Sequence, residues 1–290
     1  MSVTETSFKR IAVAAHPQLP DAIRLSHQVA HALRSQGLTV KTGLLYDENL
    51  RQWVHDRQAD LLIALGGDGT MLRAGHLCAP IGVPILGINV GRFGFLIEIQ
   101  QSEWREMLPR LLAGEYWLEK RMMLCAEQWR ADERLGRWEV LNEVVVSRGQ
   151  MVRPVHLTAY VDGRLLTTYV ADALIAATAS GSTAYALAVG GPILPPELRN
   201  ILLVAVAPHM SLDRAIVLAE GSTVTISVHT DHQAVLSPDG QIPINLTEGD
   251  RVDVRASEHT VKFIRFQDPG YFYRNLTPHM SQNPSTGAHR

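Results

Sequence analysis

The strongest constraint on the fold of this chain is an apolar run that ends in a glycine-rich turn. Residues 61–65 are continuously hydrophobic, three glycines follow between positions 66 and 69, and apolar residues recur at helical spacing from Met71. This order predicts a buried strand, a tight turn and a helix that begins near Thr70. Glycine lets the backbone approach a phosphate closely, and the first turn of a helix adds unpaired N–H groups and a positive dipole end. The stretch therefore predicts a phosphate-binding turn.

One acidic residue, Asp68, lies inside this turn. A carboxylate repels a phosphate unless a divalent cation lies between them, or unless the carboxylate has a chemical task such as accepting a proton. Phosphoryl transfer offers both conditions. Alternatively, Asp68 only caps the helix that begins near Thr70. The turn by itself leaves both interpretations open.

Composition excludes several classes of function. The 290 residues are 46% hydrophobic and 19% charged, which indicates one large or two medium globular domains. The net charge of −2 favours no nucleic-acid partner, and no apolar run is long enough to predict a membrane span. The N-terminus has no apolar signal core, and Cys78 and Cys125 lack disulfide or zinc spacing, so we expect a reducing cytoplasm. None of the four lysines completes a GxxxxGK[ST] motif, which excludes a P-loop hydrolase.

The first 120 residues alternate between strand and helix patterns. Strands are predicted at 11–15, 38–45, 61–65 and 83–88; helices are predicted from Asp21 to Gly37, around 47–58, from Thr70, and from Ser102 to Leu112 with Pro109 kinking it. This alternation predicts a doubly wound parallel α/β domain over residues 1–120, with the glycine turn at the carboxyl ends of its strands. A second glycine-rich turn at 87–96 does not have GxGxxG spacing, so it does not support a hydride-transfer fold.

The remaining chain is predominantly β. Asp162-Gly163 predicts a hairpin turn, and helical signal is limited to the region after Thr183 and to residues 196–199. We expect a β-rich, β-sandwich-like domain over residues 121–267. Its strands are predicted at 124–129, 138–147, 156–161, 165–171, 223–229 and 261–266.

Polar residues interrupt the apolar strands of this second half. Asn142 and Glu143 begin a strongly apolar strand, where one of the two side chains should face inward and hydrogen-bond to a ligand. The alternative is an edge position with both groups solvated. Asp172, between two alanines, raises the same question, with a simple turn aspartate as its alternative.

Two polar loops are further candidates. Residues 178–185 are rich in hydroxyl groups and small side chains, so this loop could wrap around a sugar or phosphate, and it does not fit the GxSxG motif of serine hydrolases. Gln241 follows another polar turn. His229 and His232 could bind a metal, but solvated loop histidines are the more common case.

Five motifs, taken in order, resemble the NAD kinase family. They are GGDGT at 66–70, LGINVGRFGFL at 86–96, LNE at 141–143, SGSTAYALAVGGP at 180–192 and SPDGQ at 237–241. The resemblance covers roughly residues 10–275. It implies phosphorylation of the adenosine ribose 2′-hydroxyl of NAD by ATP with Mg²⁺ or another divalent metal. It also implies that residues 268–290 return to the first domain and that the protein forms a homodimer or homotetramer.

The resemblance assigns roles to individual residues. Asp68 looks like the group that activates the ribose hydroxyl, Asn142 and Glu143 resemble the pair that contacts the adenine-nucleotide half of NAD, and Asp172 matches an acidic contact. No side-chain metal ligand is implied. The other nucleotide-binding residues that it implies are Gly67, Gly69, Thr70, Arg73, Arg153, Thr183, Ala184, Tyr185, Ala186, Leu187, Ala188 and Gln241.

Several positions depart from the family pattern. Ala171 and Ala173 replace glycines that usually flank the aspartate, and Ala179 stands where proline is common. Ala186 and Ala188 replace frequent serines, and Val170 stands where a basic residue can occur. We expect activity to survive with altered affinity or substrate preference. The choices between ATP and polyphosphate and between NAD and NADH, as well as any feedback regulation, stay open.

Other kinases share the first motif, so it does not by itself identify the function. GGDGT also occurs in lipid kinases related to diacylglycerol kinase and in 6-phosphofructokinases. In the lipid enzymes an Asn-Glu pair follows the glycine loop closely, whereas here the pair lies far downstream, and no basic amphipathic helix predicts membrane docking. The other rival is a non-catalytic nucleotide-binding regulator, which has little reason to keep Asp68 among phosphates.

Overall fold

A computed structural model describes residues 8–91, 94–209 and 212–281 of the chain. These residues form two compact units. One extends up to Lys120 and resumes at Val261, and the other is Arg121–Thr260. We call them the α/β unit and the β unit. The segment 268–290, which is expected to return to the first domain, is described only up to residue 281.

The elements are numbered in chain order. The strands are β1 Arg10–Ala15, β2 Thr39–Leu44, β3 Leu61–Gly66, β4 Ile85–Asn89, β5 Ile99–Gln100, β6 Trp117–Arg130, β7 Glu133–Val140, β8 Glu143–Arg148, β9 Val155–Val161, β10 Arg164–Ala171, β11 Ala173–Ala177, β12 Asn200–Val206, β13 Ile216–Ala219, β14 Thr223–His229, β15 Ala234–Pro238, β16 Ile244–Leu246 and β17 Asp250–Arg265. The helices are α1 Pro20–Ser35, α2 Glu48–His55, α3 Asp68–Cys78, α4 Trp104–Leu112, α5 Tyr185–Ala188 and α6 Tyr271–Ser281. None of the described helices is long and apolar enough to cross a membrane.

The α/β unit contains the predicted parallel sheet. Its strands lie in the order β2-β1-β3-β4, β5 pairs with β4, and Phe263 near the end of β17 also pairs in parallel with β4. All six residues of β3 are buried, as expected for a central parallel strand covered on both faces. Because the strands are parallel, the carboxyl ends of β1, β3 and β4 meet at one edge of the sheet.

The β unit is built from antiparallel strands. One sheet has the order β13-β12-β11-β8-β15-β16, and β9 pairs with both β10 and β14 in a second set of strands. Asp162 and Gly163 both have positive φ, so they form the predicted hairpin turn between β9 and β10. Buried residues of both sets of strands form one core. The predicted class, a parallel α/β domain plus a β-rich domain, is therefore confirmed.

Two predictions of secondary structure were wrong, and helix α6 lies where no helix was predicted. The single strand predicted at 138–147 is two strands, β7 and β8, which are separated at Leu141 and Asn142. The carboxylate of Asp239, distant in sequence, binds the backbone N–H groups at this break. Residues 196–199 are not helical, because Leu198 N donates to Pro195 O in a simple turn.

Candidate active site

The glycine turn holds Asp68 at the carboxyl edge of the parallel sheet. Helix α3 begins at Asp68 itself, and Gly67 is its N-cap residue, so the interpretation of Asp68 as the cap of a helix that begins near Thr70 is wrong. The carboxylate instead accepts two backbone hydrogen bonds: Phe95 N lies 2.7 Å from Oδ2 and Leu96 N lies 3.0 Å from Oδ1. These bonds fix the orientation of the carboxylate, and they come from the second glycine-rich turn.

Two glycines are required here because of close packing. A Cβ on Gly66 would lie 2.1 Å from Thr70 Oγ1, and a Cβ on Gly94 would lie 2.2 Å from the carboxyl atoms of Asp68. Contacts this short force the neighbouring group to move. Gly94 therefore leaves the space that the Asp68 carboxylate occupies.

A cavity of about 600 Å³ opens at this turn. Four of the predicted site residues, at positions 67–70, line it together with residues that follow the neighbouring strands. The lining consists of His16, Leu19, Gly67, Asp68, Gly69, Thr70, Val90, Gly91 and Gly94. Sequence reasoning missed His16. Its position directly after β1 could have identified it, because β1 and β3 are adjacent parallel strands whose carboxyl ends lie at the same edge of the sheet. Burial and then the Arg73 guanidinium lower the pKa of His16, so its ring is neutral at neutral pH.

Arg73 lies one helical turn after the glycine loop. Its side chain is exposed, Nη1 donates to Gly69 O at 3.3 Å, and the guanidinium lies 5.4 Å from the centre of the Tyr46 ring. The structure therefore places the predicted Arg73 beside the glycine turn, where its charge favours an anion.

Thr70 Oγ1 is buried and has no hydrogen-bond partner among the described atoms.

A second cavity in the α/β unit, of about 760 Å³, lies at the amino ends of the strands. Arg10 and Asp60 in its lining form an ion pair of 2.7 Å, and Lys262 donates to Gly82 O. It contains none of the predicted site residues. Ligands of doubly wound sheets bind at the carboxyl edge, so the cavity at the glycine turn is the candidate site.

In the β unit, Asp239 organises the Asn142-Glu143 pair. Its carboxylate accepts hydrogen bonds from Leu141 N, Asn142 N and Glu143 N at 2.7, 2.8 and 3.0 Å. Asp239 is buried and has a φ of 48°, a conformation that aspartate tolerates better than most residues. Sequence reasoning considered Gln241 in this turn and missed the structural role of Asp239.

Glu143 is the inward-facing member of the pair. It is 8% exposed, its Oε2 has no hydrogen-bond partner within the described structure, and Asn142 is half-buried. Burial, reinforced by the charge of Asp239, raises the pKa of Glu143 to about 8, although a backbone hydrogen bond from Tyr185 acts in the opposite direction. At neutral pH this side chain is mainly a neutral acid, which can both donate and accept a hydrogen bond.

The hydroxyl-rich loop packs against the same pair. Thr178 Oγ1 donates to Leu141 O at 2.6 Å and accepts from Gly181 N at 3.0 Å. A Cβ on Gly181 would lie 2.1 Å from Asn142 O. A short 3₁₀ turn, Gly181–Thr183, and helix α5 follow, so the predicted residues 183–188 lie directly after a loop that is bound to the Asn142 backbone.

The other three candidates lie in different places. Gln241 is exposed in the turn of Asp239, where its carbonyl accepts from Ser237 Oγ. Asp172 lies at the far end of β11, because Glu143 pairs with Ala177 at the near end. Asp172 lies beside Arg148, so it is separated from Glu143 by five residues along β8, or about 17 Å. Arg148 Nε donates to the Asp172 carboxylate at 2.9 Å, and Arg148 Nη1 donates to Met151 O, in the exposed loop that carries Arg153.

The two candidate metal-binding histidines have other neighbours. His229 Nδ1 lies 3.3 Å from Glu248 Oε1, and His232 Nε2 lies 3.2 Å from Pro154 O. Within the ranges that the structure describes, no group of three His, Cys, Asp or Glu side chains could hold a metal ion.

A parallel sheet with a glycine-rich turn and a helix N-terminus at its carboxyl edge is typical of nucleotide-binding α/β proteins, and an acidic group at the turn is suited to phosphoryl transfer. The model of the ATP-NAD kinase N-terminal domain matches residues 3–116, and that of the ATP-NAD kinase C-terminal domain matches residues 141–266. The chain belongs to the NAD kinase family, and its function is that of an NAD kinase. The alternatives of a lipid kinase and a non-catalytic regulator are not supported.

Individual relatives agree with this assignment. The chain is 38% identical over 277 residues to the NAD kinase of Chloroflexus aggregans, covering 95% of this chain and 100% of the relative. It is 35% identical over 278 residues to the NAD kinase of Dehalococcoides mccartyi strain CBDB1, covering 95% and 97%.

Two solved structures share the fold. Yeast NADH kinase complexed with NADH has a TM-score of 0.80 at 22% identity, over 96% of this chain and 89% of that one. An NAD kinase from Archaeoglobus fulgidus in complex with ATP has a TM-score of 0.75 at 24% identity, over 94% and 98%.

Proposed function

We propose that Asp68 accepts the proton of the adenosine ribose 2′-hydroxyl of NAD during phosphoryl transfer from ATP. The hydroxyl oxygen attacks the γ-phosphorus, the bond from the γ-phosphorus to the bridging oxygen breaks, Asp68 takes the proton, and ADP and NADP result. The observation that carries this proposal is the carboxylate held by two backbone N–H groups inside the cavity at the glycine turn. These two bonds fix the direction of the carboxylate oxygens, as a positioned proton acceptor requires.

The glycine turn would hold the phosphates. Gly67, Gly69 and Thr70 line the cavity where helix α3 begins, and Arg73 supplies a positive charge beside it. Unpaired N–H groups and the helix dipole favour anions at this position. Positioning and neutralisation of charge account for most of the catalysis of phosphoryl transfer, so these residues suffice for that task.

A divalent metal, Mg²⁺ or another, fits this site as a partner of the phosphates. Asp68 is the one acidic side chain among the residues that line the cavity. Mg²⁺ is commonly held by one or two carboxylates, substrate phosphates and water, so a cage of protein ligands is not needed. When bound there, it would neutralise the charge that develops on the transferred group.

The β unit would bind NAD. Asn142 and Glu143 contact the adenine-nucleotide half, and Thr183, Ala184, Tyr185, Ala186, Leu187 and Ala188 close on the dinucleotide. Gln241, Asp172 and Arg153 add polar contacts. The unpartnered Oε2 of Glu143 supports this assignment, because a buried polar atom without a partner is suited to receive a ligand. The enzyme would work in the cytoplasm as a homodimer or homotetramer, with NAD and ATP as its partners and neither nucleic acid nor membrane.

The first test compares the parent with Asp68→Asn. The purified protein is incubated with NAD, ATP and Mg²⁺, and NADP is read through a dehydrogenase that uses only the phosphorylated cofactor. We expect turnover in the parent, and we expect the rate of NADP formation to fall by a factor of at least about 10² in the variant, the scale for a positioned acid–base group. Asp21→Asn is the matched control, since Asp21 is exposed in the first turn of α1. Undiminished NADP formation by Asp68→Asn would refute the role of Asp68.

A further inference from the structure

The backbone that holds the Asp68 carboxylate is itself held by a buried arginine. Leu96 donates its N–H to Asp68 Oδ1, and its carbonyl accepts a hydrogen bond of 3.0 Å from Arg265 Nη1. One peptide segment therefore bonds on one side to the proposed proton acceptor and on the other to Arg265. Arg265 stands at the end of β17, far from the glycine motifs in the sequence.

Arg265 is fixed in turn by two side chains. Its Nε donates to Glu119 Oε2 at 2.8 Å, and Tyr271 Oη donates to Glu119 Oε1 at 3.0 Å. The side chains of Arg265 and Glu119 are only 2% and 5% exposed. The guanidinium also lies 5.2 Å from the centre of the Tyr271 ring. The set Arg265, Glu119 and Tyr271, which we call the buried triad, connects the first residue of helix α6 to the peptide that orients Asp68.

The arginine of the buried triad keeps its charge. Burial alone would lower the pKa of Arg265, but Tyr271, Glu119 and Glu98 together raise it above the usual value. Glu98 secures the same region, because its carboxylate accepts hydrogen bonds from Phe266 N and Gln267 N. Replacing a buried ion pair by apolar residues is often neutral or stabilising, so stability is a weak explanation for the buried triad.

We propose that the buried triad is a positioning device for phosphoryl transfer, in which Arg265 sets the Leu96 peptide and thereby the Asp68 carboxylate. Helix α6 thus contributes to catalysis through Tyr271 without contacting substrate. The proposal rests on the proposed role of Asp68 as proton acceptor. It predicts that damage to the triad lowers kcat, while KM for NAD and for ATP stays nearly constant.

The test uses Tyr271→Phe, which removes one hydroxyl and keeps the ring. We expect kcat to fall about fivefold with each KM within about twofold of the parent, a scale typical of residues coupled through one hydrogen-bond network. Tyr273→Phe is the matched control, since it makes the same change at an exposed position of the same helix and should leave kcat unchanged. Arg265→Lys is the second variant, because a single ammonium group cannot reproduce the fork that contacts both Leu96 and Glu119. All rates are measured below the thermal midpoint of each variant.

Double variants separate this proposal from the proposed role of Asp68. In the Asp68→Asn background, Tyr271→Phe should cost almost nothing further, because the group that it positions is gone. An unchanged kcat in both Tyr271→Phe and Arg265→Lys would overturn the positioning role, and so would the same fivefold loss in the Asp68→Asn background. If instead Asp68→Asn alone retains full activity, that result refutes the proposed role of Asp68 as proton acceptor, on which the positioning role rests.

Discussion

At the residue scale, two aspartates use their carboxylates to hold backbone segments. Asp68 accepts N–H groups of Phe95 and Leu96, and Asp239 accepts those of Leu141 to Glu143. A carboxylate that takes several backbone hydrogen bonds forms charge-assisted bonds, which are about twice as strong as neutral ones. Each aspartate therefore joins two motifs that are distant in sequence, GGDGT to LGINVGRFGFL and SPDGQ to LNE.

Glu143 gives the protein a stability that depends on pH. Because its folded pKa, about 8, lies above its unfolded value, the folded state binds the proton more tightly. This stabilisation is fully present below the unfolded pKa and is lost as the pH rises toward 8. Glu143→Gln keeps the shape of the neutral acid, so it should become more stable than the parent at pH 8 by on the order of 3 kcal/mol, with little difference at pH 5. Thermal unfolding at both pH values checks this.

Glu248→Gln is the control for that experiment. Glu248 is exposed, and its pKa is lowered by the Thr230 backbone N–H and by His229, so it cannot produce a stability gain that grows with pH over this range. If the difference between Glu143→Gln and the parent does not change between pH 5 and pH 8, Glu143 is not a buried neutral acid.

At the element scale, the turn after β4 and the start of α3 fit together through Gly94. A Cβ at this position would lie 2.2 Å from the Asp68 carboxyl atoms, so Gly94→Ala must displace the carboxylate or the turn. We expect a loss of kcat of at least about tenfold with the fold retained, since misplacing a reacting group by 1 Å can cost about 10². Gly221→Ala is the control, because an added Cβ there meets no atom within 4 Å. Parent-like kcat in Gly94→Ala would show that the carboxylate position is not critical.

At the scale of the whole molecule, we expect association of several copies. The predicted homodimer or homotetramer should show a molar mass two or four times the 32.0 kDa of the chain in light scattering after size exclusion. The measurement is made at several protein concentrations, so that a dissociating assembly is distinguished from a stable monomer. A mass of one chain at all concentrations would contradict the expectation.

Local patterns in the sequence were sufficient for the glycine turn and for β1 to β4 and α1 to α4 of the α/β unit, but they did not predict β5 or α6. Strand and helix periodicity place α1 and β3, because neighbours along the chain produce both signals. The β unit was less predictable. β11 and β12 are continuous apolar runs that periodicity alone does not identify as strands, and β17 is much longer than predicted. The break between β7 and β8 depends on Asp239, almost a hundred residues later.

The sequence by itself determined the fold class and the place of the glycine turn between a strand and a helix, and it predicted that one side chain of the Asn142-Glu143 pair faces inward, because short-range spacing and residue type carry that information. Tertiary structure alone decided how the Asp68 carboxylate is oriented, why the pKa of Glu143 is raised, and where Asp172 lies relative to Glu143. It also brought His16 into the cavity and Arg265 to the Leu96 carbonyl. Each of these depends on burial or on a hydrogen bond between residues far apart in the chain, and no local pattern records such contacts.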